Sequence, residues 1–133
     1  MLQIQYHANF KFRPTLLFAG ATSDVCQLLE VLRDWNGEEI DLLHQLRQMQ
    51  ARMTYESVTS IRLSRAKAEK DSYLEWANDR GVWWISRRGQ PRIIGLLEGL
   101  KDSTQPGHQY LDIGDPTGIQ IMCSKEEYPN KLP

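Results

Sequence analysis

Cysteine is scarce in this sequence: Cys26 and Cys123 are the only two in 133 residues. Two thiols cannot build a disulfide framework, so a reducing, cytoplasmic setting is the expectation. An excess of one charge is also missing. Sixteen basic and seventeen acidic residues leave a net charge of −1, which removes the general electrostatic basis for a dedicated nucleic-acid binder. No apolar run approaches the roughly 18 residues of a membrane span. The opening residues, MLQIQYHANFKF, hold no charged segment leading into an apolar one, so no secretory signal is read there. Phe18-Ala-Gly-Ala-Thr-Ser23 has a single glycine where a phosphate cradle needs several. Neither Cys-x-x-Cys nor His-Glu-x-x-His occurs, and His7, His44 and His108 stand far apart. Zinc ligands usually come in closely spaced pairs, so no metal or other cofactor is expected, and neither cysteine is expected to act as ligand or nucleophile.

What is present is ordinary globular composition, with 41% hydrophobic and 25% charged residues. A single domain over residues 1–133 of this composition should bury about two-thirds of its unfolded surface. From Ile4 to Phe12 every even residue is apolar and the odd ones are polar, the period of a half-buried strand. Pro14 interrupts it, and Leu16-Leu17-Phe18-Ala19 reads as a more central strand. Ser23 or Asp24 can cap a helix whose stripe is Val25, Leu28, Leu29, Leu32 and Trp35, ended by Asn36-Gly37. Residues 38–53 fit helical spacing, although Ile40 to Leu43 also reads as a short strand. Strands are expected over Val58–Ser64, Tyr73–Ala77 and Val82–Ser86, the last two forming a hairpin with Gly81 as its positive-φ residue. Gln90-Pro91 opens a second helix striped by Ile93, Leu96, Leu97 and Leu100, with Pro91 at its first position. Two more strands, His108–Ile113 and Ile119–Ser124, flank a type I turn at Asp115-Pro-Thr-Gly118, and a loose tail is expected from Lys125. The predicted fold class is α+β: a largely antiparallel sheet with two main amphipathic helices packed on one face.

The two helices resemble each other. Leu28-Leu-Glu-Val-Leu-Arg-Asp34 aligns with Leu96-Leu-Glu-Gly-Leu-Lys-Asp102 at an offset of 68 positions, and each helix follows an apolar strand. Either any two amphipathic helices look alike, or the chain holds two related strand–helix halves sharing one sheet.

Charge is uneven along the chain. Residues 61–95 carry eight bases against four acids: Arg62, Arg65, Lys67, Lys70, Arg80, Arg87, Arg88 and Arg92. Such a stretch either contacts nucleic-acid phosphates or forms a solvated face paired with acids. Trp83 and Trp84, adjacent on a strand, must face opposite ways, so one lies outside the core as a candidate binding anchor. Glu38, Glu39 and Asp41, just past the first helix, and Asp112 and Asp115, around the last turn, are the acids expected to meet a basic protein partner. Turns and element ends present side chains outward on a rigid scaffold.

Trp84-Ile-Ser-Arg-Arg-Gly-Gln-Pro, Leu96-Leu-Glu-Gly-Leu, Pro106-Gly-His-Gln-Tyr-Leu-Asp112 and Ile119-Gln-Ile-Met form a strand, striped helix and strand pair. Over residues 82–124 this pattern resembles small bacterial immunity proteins of polymorphic-toxin and contact-dependent growth inhibition systems. The resemblance implies a cytoplasmic protein, not an enzyme, that binds and blocks one cognate toxin, commonly a nuclease. The alternatives are a small nucleic-acid-binding module using the basic 61–95 stretch, and a small hydrolase-type enzyme around His108 and Asp112.

Overall fold

The computed structural model describes residues 1–10, 12–67, 72–112 and 118–127. Its elements in chain order are β1 (Leu2–Phe10), β2 (Arg13–Gly20), α1 (Thr22–Asp34), β3 (Ile40–Asp41), α2 (Leu42–Gln48), β4 (Met53–Glu56), β5 (Ser60–Arg65), β6 (Tyr73–Ala77), β7 (Arg80–Ile85), α3 (Gly89–Asp102), β8 (Gly107–Asp112) and β9 (Gln120–Lys125). The class is α+β, as the sequence predicts. The layout differs from the expected single sheet: the strands divide into a five-stranded sheet, β4-β1-β2-β9-β8, and a four-stranded sheet, β3-β5-β7-β6. Both are mixed, since β1–β4, β2–β9 and β5–β7 are parallel and the other pairs antiparallel. Besides the two main helices a third, α2, lies within residues 38–53, as their helical spacing predicts.

Residues 38–53 satisfy both readings in turn. Ile40-Asp41 pairs with Leu63 and Arg62 as β3, and Asp41 then caps α2 by accepting from the His44 amide at 3.1 Å. Met53 belongs to neither, because it starts β4 beside Leu2.

The leucine stripes form the core. Val25, Leu28, Leu29 and Leu32 of α1 and Ile93, Leu97 and Leu100 of α3 are buried, while Leu96 is half-buried at its edge. The two helices pack on each other, and the inner faces of the sheets meet where the Phe18 and Trp83 rings lie 6.4 Å apart. Strand β2 is central, as its wholly apolar run predicts. Leu16 and Phe18 enter the main core, whereas Leu17 and Ala19 enter a smaller cluster with Phe10 and Met122 on the other face.

Local chemistry corrects several expectations. The alternation of β1 breaks after His7, where a register shift turns Phe10 into the smaller cluster, and Phe12 lies 97% exposed in the turn. Pro14 sits inside β2 near its start and does not end it. Helix α1 is capped at Ala21, whose amide donates to Asp24 Oδ2 at 2.8 Å, so Asp24 acts from the first turn. Asn78 and Asp79, both at positive φ, form the β6–β7 turn in place of Gly81. Gly81 is needed for space instead: a Cβ there would stand 2.7 Å from the Trp76 ring. Helix α3 begins at Gly89, whose amide donates to Ser86 Oγ, with Pro91 two positions further on. The expected tail from Lys125 starts later, because Lys125 closes β9, is buried and donates to the Ser103 carbonyl.

The internal repeat extends beyond the helices. Shifting β1, β2 and α1 by 68 positions brings them onto β6, β7 and α3. Order and direction correspond as well: β1-β2-β9-β8 matches β6-β7-β5-β3, antiparallel, parallel, antiparallel. The halves therefore do not share one sheet. Each hairpin is completed by strands from the other half.

Candidate functional site

Helix α1 delivers an acidic edge to the surface. Its apolar stripe faces inward, so Glu30 and Asp34, one turn apart on the same side, remain exposed. Beyond the helix end Gly37, at φ +97°, turns the chain, and a Cβ there would stand 2.9 Å from the Arg65 guanidinium. Trp35 Nε1 donates to the Glu38 carbonyl at 2.6 Å, and the Glu38 amide donates to Asn36 Oδ1 at 3.0 Å. These bonds fix the loop so that the exposed Glu38 returns beside Glu30 and Asp34.

The result is a groove of about 320 Å³ between α1, the 35–40 loop and α2. Val31, Trp35, Ile40 and Met49 supply its apolar part; Glu30, Asp34 and Glu38 bring three carboxylates, Asn36 and Gln45 two amides, and among the described residues no base lines it. Among the described residues no cation pairs with any of the three carboxylates. Asp34 ends α1, where the helix dipole is already negative; a carboxylate there is unfavourable by about 0.3–1 kcal/mol.

The wall behind the groove is rigid. Arg65 lies over the Trp35 ring at 4.5 Å and donates to Gln90 Oε1 at 2.8 Å. Gln90 Nε2 in turn donates to the Leu32 and Trp35 carbonyls at 2.7 and 3.0 Å, tying the end of α1 to the start of α3.

Of the acids expected from sequence, only Glu38 lines this groove. Glu39 faces away and accepts from Arg62 at 3.2 Å and Ser64 at 3.1 Å. The Arg62 bond first, then the Ser64 bond, hold its carboxyl below the usual carboxylate range. Asp41 is half-buried and occupied as the α2 cap. Asp112 is 3% exposed at the end of β8, opposite Ile121 after a bulge, so it is not available to a partner. Asp115, with most of its turn, lies outside the described residues. Sequence reasoning missed Glu30 and Asp34. Their signal was present: two acids one turn apart running into the negative end of a helix.

The basic 61–95 stretch is not one surface. Arg62 pairs with Glu39, Arg65 is enclosed by Trp35 and Gln90, and Arg92 donates to the Leu111 carbonyl at 3.0 Å. Lys70 lies outside the described residues. Trp83 is the core tryptophan and Trp84 the outer one. On the outer face of the four-stranded sheet Trp84 stacks with Tyr73 at 6.2 Å and 19°, and its indole N–H donates to Glu75. His108 is held by Glu127 at 3.0 Å, and Ser124 Oγ donates to the same carboxylate at 2.6 Å. Asp112 is buried, whereas His108 is half-buried. Among the described residues no helix is long and apolar enough to cross a membrane, and no cluster of three or more His, Cys, Asp or Glu residues is placed to hold a metal ion. In comparisons with known proteins, no family model matches this sequence, and no curated protein or solved structure matches it.

Proposed function

We infer that this chain is a stoichiometric inhibitor, an immunity protein that neutralises a cognate bacterial toxin, with a nuclease as the expected toxin class. The observation that carries the reading is the groove at the end of α1: three carboxylates with no partner cation among the described residues, around an apolar floor, on a scaffold tied down by the Arg65–Gln90 network. Nucleases bind polyanions and present bases for that purpose, so an acidic concave surface is complementary to them. The resemblance over residues 82–124 supports the same reading.

The nucleic-acid alternative has one feature in its favour, the Tyr73–Trp84 pair on an outer sheet face, a geometry on which bases can stack. The Glu75 carboxylate beside that pair repels phosphate, and three of the eight bases are engaged within the chain.

The test is binding of a toxin domain encoded beside this gene, by pull-down and calorimetry. A nanomolar complex, about −12 kcal/mol, is expected. Reversing Glu38 or Asp34 to lysine should slow association and flatten its salt dependence, while Arg87 and Arg88 reversals change little. The nucleic-acid reading requires the opposite ranking in a filter-binding assay on the same variants. Failure to bind any adjacent toxin would refute the inhibitor reading.

A further inference from the structure

We propose that the groove at the end of α1 is an anchor site for a single cationic side chain, an arginine projecting from a partner protein. The inference rests on the inhibitor reading only for the source of that arginine; the chemistry of the groove stands on its own. An occupant must satisfy three features together. The volume, about 320 Å³, lies at the small end of ligand sites, which suits one long side chain and its flanking backbone. The apolar part, Val31, Trp35, Ile40 and Met49, requires a hydrocarbon portion. The rim carries three carboxylates and, among the described residues, no base, and the C-terminal dipole of α1 adds partial negative charge at Asp34. An alkyl stem ending in a cation meets all three, whereas a small inorganic cation leaves the apolar wall uncovered.

Arginine is favoured over lysine. Its guanidinium is planar and weakly hydrated, and its five donors can serve several acceptors at once; a lysine ammonium is strongly hydrated and offers three. Glu30, Asp34 and Glu38 reach the groove from a helix and from the loop after it, and the Asn36 and Gln45 side chains line it as well. Acceptors spread around the rim match a fork of donors better than a point charge.

The Trp35 indole is a reporter built into the site, because its N–H is fixed on the Glu38 carbonyl at 2.6 Å. The experiment is titration of the full-length isotope-labelled protein with acetyl-Gly-Arg-Gly-amide, following the Trp35 indole resonance, assigned by Trp35→Phe. Matched peptides carry lysine, citrulline or glutamate. The arginine peptide is expected to shift that resonance in the millimolar range, and citrulline, equal in shape but uncharged, to bind at least about tenfold more weakly. Lysine should fall between them, and glutamate should not bind. The double variant Glu30→Gln/Glu38→Gln should lose about tenfold in arginine affinity, while Glu98→Gln, which removes the partner of Arg33 outside the groove, should not. Equal binding of arginine and citrulline, or no response at Trp35 with the arginine peptide, would overturn the proposal. The two readings fail separately. Arginine binding without toxin binding leaves the groove site standing and removes the inhibitor reading. Nanomolar toxin binding unaffected by the double variant does the reverse.

Discussion

Arg65 looks like a surface base in the sequence, yet its replacement by methionine is expected to destabilise the fold by about 2–4 kcal/mol. The magnitude follows from what the guanidinium touches. Its position 4.5 Å from the Trp35 ring centre is a cation–π contact worth about 0.5–2 kcal/mol in a half-buried setting. The 2.8 Å bond to Gln90 Oε1 involves a charged donor, worth about 1.5–3 kcal/mol, and it orients the amide that holds the Leu32 and Trp35 carbonyls. Methionine keeps much of the alkyl stem, so loss of packing adds little. Burial first, then the nearby Arg87 charge, lower the Arg65 pKa, so Arg87 works against Arg65 in the fold. Arg87→Met is therefore the matched control, with an effect within about 0.5 kcal/mol of zero. In urea unfolding, with slopes of about 1–3 kcal/mol per molar, Arg65→Met should lower the midpoint by about 1–2 M and leave the slope unchanged. A double-mutant cycle with Gln90→Leu should show a coupling of at least about 0.5 kcal/mol. Equal midpoints for Arg65→Met and Arg87→Met would refute the argument, because the Trp35–Arg65–Gln90 network would then contribute nothing measurable.

Leu97→Ala should cost about 2–5 kcal/mol by urea unfolding, and Leu96→Ala, at the half-buried edge of the same stripe, clearly less. Gly81→Ala places a methyl 2.7 Å from the Trp76 ring and should cost about 1–3 kcal/mol; loss of near-ultraviolet dichroism from the Tyr6–Trp76 stack, whose centroids are 4.4 Å apart, would report it. Burial first, then the Asp24 charge, push the Cys123 thiol up to about 12. Native protein should therefore leave Cys123 unmodified by a thiol reagent that reacts with it in denaturant. The same shift gives a pH dependence: between about 9 and 12 the unfolded thiol loses its proton and the folded one keeps it, so stability should fall as pH rises through that window. Cys123→Ala should flatten that alkaline loss in urea midpoints measured across it.

Elements with a strong period were legible, and pairings set by distant strands were not. Val25, Leu28, Leu29 and Leu32 recur on a helical period and are buried as that period requires. Leu16 to Ala19 is apolar at every position because β2 has a covered face on each side. Ile40 to Gln48 was ambiguous because two short elements meet at Asp41, which pairs in β3 and caps α2. The bulge in β1 left no mark, since Phe10 keeps the even-numbered apolar phase while facing the opposite cluster. The division into two sheets was hidden for a similar reason: alternation tells which face of a strand is buried but not which strand lies beside it. At the candidate site, Glu38 was found because it follows a helix. Glu39 and Asp41 have the same local sequence character, but Arg62 and Ser64, brought by tertiary structure, occupy Glu39, and the His44 amide of the helix that Asp41 itself caps occupies Asp41.

The exchange of strands between the two halves sets an order of assembly as the chain leaves the ribosome. The four-stranded sheet has all its strands once residue 85 has emerged. The other sheet cannot close until β9 arrives, because Thr15 on β2 pairs with Gln120, 105 residues later. At roughly 5–20 residues per second that is a wait of about 5–20 s. Throughout it β2, the most apolar strand, has only β1 beside it and presents an open edge carrying Leu16, Leu17 and Phe18. An unpaired apolar edge is a template for pairing with another chain. The hazard to this protein is thus concentrated in its synthesis, and it ends when the last strand slots in.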